Sequence, residues 1–243
     1  MQPHQKLWVV TLVTAGCAWG QPATGALQGR VTGDDGAELA NAVVLYHRAV
    51  KRVFVGNSLL PALGETVVTR TVTADATGAF SVPGLPVASY GLCAELPGAP
   101  YLDSCKWSLA DSVAVTASAV AQHNLVLKRG VLLRVHLNDP SQLLPPPASG
   151  LLARTGFIVG VIFGSGAYLA ATRSAASATT RDYQIPVPAG APLSLWLFSR
   201  DVSLADSSGS PLAGSGARIP FTAASGQDQS FNVRVSGVAP PLP

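Results

Sequence analysis
Ser89-Tyr90-Gly91-Leu92-Cys93-Ala94-Glu95-Leu96 is the stretch that decides the fold. Tyr90, Leu92, Ala94 and Leu96 share one face of an extended chain and Cys93 takes the other, the two-residue period of a strand. Outward from it the same pattern recurs at 27–32, 42–47, 67–73, 79–82, 113–116 and 123–127, which with 89–96 makes seven strands, one complete small sandwich. A second series follows at 131–137, 156–163, 167–172, 183–187, 193–199, 218–222 and 231–235. In the last of these Phe231, Val233 and Val235 point inward and Asn232 and Arg234 outward. No long stretch has helical periodicity, so the sequence predicts an all-β chain of two consecutive sandwiches.

Composition agrees. Of 243 residues only 12% are charged, about half the usual share, while 24 are Gly and 19 are Pro. An apolar fraction of 48% argues against intrinsic disorder, and a net charge of +3 is too small for a nucleic-acid binder. The boundary between the sandwiches falls at Lys128-Arg129-Gly130, giving units 21–129 and 130–237 and a tail 238–243 without an apolar anchor. Residues 138–154, with Pro145-Pro146-Pro147, and 57–64 are expected as long loops.

Met1 to Lys6, the apolar run 7–13 and the small residues Ala18 and Gly20 have the layout of a secretory signal peptide, 1–20, leaving Gln21 first in the mature chain. A lipid-anchored Cys17 is an alternative, although Thr14 stands where an aliphatic residue is usual; a buried first strand or helix is another. With Cys17 removed, Cys93 and Cys105 remain, and export makes a disulfide the expected state, with free thiols the alternative. A metal site would need further ligands, and His47, His123 and His136 have no ligand spacing with them. Residues 155–172 are uncharged and just long enough for a membrane helix. Gly164-Ser165-Gly166 between two β-rich arms reads instead as a buried hairpin.

Gly29-Arg30-Val31, Asp35-Gly36, Ala42-Val43-Val44, the run Thr73-Ala74-Asp75-Ala76-Thr77-Gly78-Ala79-Phe80, Leu85-Pro86 and Tyr90-Gly91-Leu92-Cys93-Ala94 resemble the carboxypeptidase regulatory-like domain of secreted bacterial proteins, over 25–127. The resemblance implies a transthyretin-like, seven-stranded sandwich in which Asp75 and Gly78 shape a turn, Phe80 and Tyr90 fill the core and Leu85-Pro86 starts a strand pair. It implies an accessory module without peptidase chemistry. The loop 50–65 is longer than the family's pattern. The second unit resembles, less specifically, a companion β domain of secreted bacterial proteins, and both units are expected as Ig-like or transthyretin-like sandwiches.

The chain has no G-x-S-x-G, H-E-x-x-H, C-x-x-C, P-loop or G-x-G-x-x-G motif. Asp34, Asp35, Asp75 and Asp206 each precede a Gly within four residues, which is turn chemistry, with calcium binding the sharper alternative. His123 and His136 stand in strands without an obvious nucleophile. Trp196 alternates with Ser194 and Phe198 and is expected in the core. Tyr101 and Trp107, flanking Cys105, could form a disulfide-held ligand surface or cover a sandwich end; covering is the favoured role. The expectation is a secreted, periplasmic or outer-surface protein that is structural or adhesive, not an enzyme, needs no cofactor and has no transmembrane helix when mature. Its partner would be an envelope protein or a polysaccharide. A carbohydrate-binding accessory module is the alternative, and a hydrolase with scattered catalytic residues a distant third.

Overall fold
The computed structural model describes residues 23–49, 52–55, 58–61, 69–107, 111–145, 156–164, 166–212 and 216–239. The expected signal peptide and Cys17 lie outside these. Strands β1 (Thr24–Gly33), β2 (Val43–Arg48), β3 (Arg52–Val55), β4 (Ser58–Pro61), β5 (Thr69–Thr73), β6 (Ala79–Pro86) and β7 (Ala88–Glu95) come first. A single turn of helix, α1 (Ser104–Trp107), precedes β8 (Asp111–Val115), β9 (Val120–Gln122) and β10 (Leu125–Leu127). Then follow β11 (Val131–Asn138), β12 (Ile158–Phe163), β13 (Tyr168–Ala170), β14 (Thr172–Ala176) and β15 (Thr180–Val187). The last are β16 (Pro192–Phe198), β17 (Val202–Asp206), β18 (Ala217–Thr222) and β19 (Gln229–Val238). The all-β expectation holds.

Up to Leu127 the chain builds two four-stranded sheets, β5-β2-β7-β8 and β10-β1-β6 with β9 also on β1, besides the two-stranded β3-β4. Between the two larger sheets lies one apolar cluster, in which Leu27 and Val31 meet Phe80, Val44, Tyr90, Leu92 and Leu125. Phe80 and Tyr90 are 4% and 3% exposed, and the Tyr90 hydroxyl donates to the Pro86 carbonyl at 3.0 Å. Each comes inward because its strand alternates, and the buried phenol keeps a polar partner. Asp75 accepts from Thr77 N, Thr77 Oγ1 and Ala79 N at 2.8, 2.9 and 3.0 Å, while Gly78 takes a φ of 74°. That left-handed position is why the turn carries glycine.

From Val131 a five-stranded sheet, β14-β15-β11-β19-β17, packs on a four-stranded one, β13-β12-β16-β18. The core between them joins Leu133, Val135, Phe157, Val161, Tyr183 and Leu195. Within the uncharged segment, β12 and β13 pair as a hairpin, with Gly160 opposite Ala170 and Ile162 opposite Tyr168. Among the described residues no helix is long and apolar enough to cross a membrane.

Several sequence expectations need correction. Within the expected loop 57–64, Ser58–Pro61 pairs with Arg52–Val55 as a hairpin. The expected strand 167–172 breaks at Ala171, so that β13 stays on one sheet and β14 pairs with β15 on the other. Strands β3, β9, β14 and β17 were not expected; β9 and β14 are short and mostly exposed, so neither carries an apolar alternation. β19 runs to Val238, one residue into the expected tail. Trp196 is not in the core: Leu193, Leu195 and Leu197 face inward, and Trp196 and Phe198 lie half-buried on the outer face.

Candidate functional site
Cys93 lies near the end of β7 on the face away from the sandwich core, and that is the face α1 covers. Cys93 and Cys105, a sequence separation of 12, are joined, with Cα atoms 5.1 Å apart. The turn is held by more than the disulfide. Asp103, buried, accepts from Cys105 N at 2.8 Å and thereby starts α1, while Ser104 Oγ accepts from Ala94 N at 2.8 Å and ties the helical turn to β7. Lys106 Nζ lies 2.9 Å from Asp103 Oδ2.

Tyr101, for which covering a sandwich end was the favoured role and a ligand surface the alternative, is 8% exposed and packs with the first core. Its hydroxyl donates to the Asp35 carboxylate, 3.2 Å from Oδ2. Burial first, then the hydrogen bond to Asp35, pushes the Tyr101 phenol above its ordinary pKa. Asp35 is held below the ordinary carboxylate value, chiefly by the Ala37 N–H. Arg129 donates to Asp35 from Nη1 at 3.2 Å and to Asp34 from its backbone N–H at 3.0 Å.

Trp107 goes the other way. Its ring is half-buried against the second core, 5.5 Å from Phe163, and Nε1 donates to the Pro186 carbonyl at 3.0 Å. Tyr101 and Trp107 therefore do not stand side by side on one surface, the alternative to their covering role: each ring is occupied by a different core. Between them the connection 128–130 is zipped to the turn, Leu102 N donating to Lys128 O at 2.8 Å and Gly130 N to Pro100 O at 2.6 Å. A Cβ at Gly130 would fall 2.5 Å from the Val187 carbonyl and 2.7 Å from Leu102 Cδ2, so only glycine passes here. The disulfide-bonded turn thus clamps the end of the first sandwich to the start of the second.

Sequence reasoning missed the clamp because its partners lie 66 residues apart for Tyr101 and Asp35, and 79 apart for Trp107 and Pro186. The only local signal was Asp34-Asp35-Gly36, read as a turn. The histidines sit beside carboxylates, His123 Nε2 3.2 Å from Asp111 and His136 Nδ1 2.6 Å from Asp182, both pairs at the surface. Among the described residues no three His, Cys, Asp or Glu side chains converge as metal ligands.

No family model matches the chain, and no curated protein does. Among solved structures it is similar to the streptococcal ancillary pilin at 14% identity and a TM-score of 0.42, over 88% of this chain and 62% of that one. It is similar to the Bacillus anthracis TIE protein at 11% identity and a TM-score of 0.34, over 88% of this chain and 34% of that one. The major pilin subunit of Bacillus cereus gives 10% identity and a TM-score of 0.31, over 83% and 82%. The chain spans less than two thirds of the first two proteins, and similarity at these levels carries no argument about function.

Proposed function
We propose that the chain is a non-catalytic structural or adhesive protein of the bacterial cell envelope or exterior, exported by residues 1–20, whose two sandwiches, 21–129 and 130–237, act as a stiff spacer. The observation that carries this reading is how each sandwich closes. β1 pairs in parallel with β9 and β10, and β11 pairs in parallel with β19. First and last strands that are parallel neighbours leave a unit at opposite ends of one ladder. Tension along the chain then loads all the hydrogen bonds of that ladder together, in shear, instead of breaking them one by one. The clamp at Tyr101, Cys105 and Trp107 supports the same reading, because it couples the two ladders through a short braced connection.

The carboxypeptidase regulatory-like resemblance of residues 25–127 belongs to this reading, supported by the buried Phe80 and Tyr90 and by the Asp75 turn. The test is to pull the second unit in two directions. Handles at Val131 and Val238 shear β11 against β19, whereas handles at Val131 and Gln229 peel the same ladder from one end. The expected result is a clearly higher unfolding force in shear. Equal forces in both directions would remove the basis for a load-bearing role. Export has its own check: the mass of the secreted protein should begin at Gln21, and a lipid on Cys17 would replace that assignment.

A further inference from the structure
We propose that a cleft at one end of the second sandwich, where β12 and β16 meet the turn 199–201, binds a neutral pyranose ring of a polysaccharide. The cleft has a volume of about 440 Å³ and is lined by Ile158, Phe198, Ser199, Arg200 and Asp201, among others. That size, with an apolar wall and a few polar groups at the mouth, is the ordinary form of a small-ligand site.

The apolar wall is unusual for its place. The outer face of an antiparallel sheet is normally polar. Here Ile158 is 42% exposed and pairs across the ladder with Phe198, and Trp196 and Tyr168 continue the aromatic strip. The Phe198 ring is also fixed before any ligand arrives. It stacks on Trp196 with centroids 5.7 Å apart and planes at 22°, and Trp196 in turn meets the edge of Tyr168 at 5.0 Å. Tyr168 is pinned by its hydroxyl on the Val159 carbonyl at 3.0 Å and lies where a Cβ at Gly160 would come within 2.2 Å of its ring. A ring held this way loses little freedom on binding.

The mouth is fixed as well. Ser199 Oγ donates to Gly156 O at 2.6 Å and accepts from Asp201 N and Val202 N at 3.1 and 3.2 Å, and Asp201 O accepts from Ala239 N at 3.0 Å. The turn therefore holds Arg200 and Asp201, both exposed, at the cleft that Phe198 also lines. One cation and one anion cancel, so the mouth favours neither acids nor bases. What they offer together is donors next to an acceptor, the pattern that hydroxyl groups satisfy, since each hydroxyl both donates and accepts. A pyranose has an apolar C–H face for Phe198 and hydroxyl edges for Arg200 and Asp201, so it meets both halves.

Sugar binding at this cleft needs no tension on the chain and stands apart from the load-bearing role. The full chain is titrated with cellohexaose, maltohexaose and chitohexaose, with polygalacturonate as the anionic comparison. With Trp8, Trp19 and Trp107 changed to Phe, fluorescence follows Trp196, the one tryptophan left. We expect saturable binding of at least one neutral hexasaccharide, weakened about tenfold or more by Phe198→Ala and by Asp201→Asn, and retained by Phe198→Tyr. Asp201 is an exposed turn residue, so its variant reports even where Phe198→Ala unfolds. Absence of binding to all three neutral sugars up to millimolar concentration overturns the proposal. So does preference for polygalacturonate, or self-association of the chain that Phe198→Ala abolishes while no sugar binds.

Discussion

The two sandwiches close by the same device but with unequal ladders. In the second, β11 and β19 pair continuously from Leu133 opposite Gln229 to Asn138 opposite Arg234. In the first, the partner of β1 is broken: three pairs at Ala26–Gln28 and three at Val31–Gly33 flank a gap at His123 and Asn124. The gap is bridged by a side chain, since Asn124 Oδ1 accepts from Arg30 N at 2.9 Å where a carbonyl would otherwise serve. Gly29 makes this possible, because a Cβ there would come within 1.7 Å of the His123 carbonyl oxygen. The weaker closure belongs to the unit that carries the disulfide. A covalent bond and the clamp around it strengthen the unit whose backbone ladder is interrupted.

The largest effect should come from emptying either core. Phe80→Ala and Phe157→Ala each remove a ring no more than 4% exposed, and each should cost about 3–5 kcal/mol. Calorimetry should show the first lowering the melting of the first unit and the second that of the other. If both variants lowered a single transition equally, the clamp would be making the two cores one cooperative block.

Next is the disulfide. Cys93→Ala with Cys105→Ala frees a loop of about a dozen residues, worth up to roughly 3 kcal/mol on the chain-entropy model. Because the first unit has the broken ladder, its amides in β1, β9 and β10 should exchange faster in the variant while those of β11 and β19 keep their protection. Equal loss in both units would contradict the asymmetry.

Trp107→Ala should come third, at about 1–2 kcal/mol, since the ring is only half-buried and loses packing plus one hydrogen bond. Its signature is separation: the melting of the two units should become less coupled without either core being emptied. No change in the spacing of the two transitions would mean that the zipped connection 128–130 suffices alone.

How much of this was legible in the sequence depends on the residue. Alternation located most of the strands and placed Phe80 and Tyr90 inward, and the processed cysteine count pointed to the disulfide. Alternation separates the faces of a strand but does not say which face is inside. Along β16, Leu193, Leu195 and Leu197 compete with Ser194, Trp196 and Phe198, and a Trp on the second set tipped the expectation the wrong way. Strand β14 had no apolar face to find, because it is held by backbone pairing at a sheet edge. Tyr101 and Trp107 could be recognised as neighbours of a cysteine, but which core each ring enters depends on contacts far along the chain.

The smallest effect sharpens the comparison from the side where the units are alike. Asp75-Ala76-Thr77-Gly78-Ala79 in the first and Asp206-Ser207-Ser208-Gly209-Ser210 in the second fold into the same turn. In each, one carboxylate oxygen accepts from the backbone and hydroxyl two residues on and from the backbone four residues on, and the glycine has positive φ, 74° and 90°. Hydrogen bonds from Thr77 hold the Asp75 carboxyl below its ordinary pKa, and those from Ser208 do so for Asp206. A carboxyl whose pKa is lower folded than unfolded favours folding while ionised in both states, so the contribution is present above the unfolded value of about 3.9. It is lost as the pH falls from there through the folded value. Stability of both units should therefore fall together on acidification below about pH 4. Asp75→Asn should flatten that acid slope for the first unit alone, and Asp206→Asn for the second alone, as read from unit-resolved melting at pH 7 and at successively lower pH. An acid slope unchanged in both variants would mean that other carboxylates, Asp35 among them, carry the whole response.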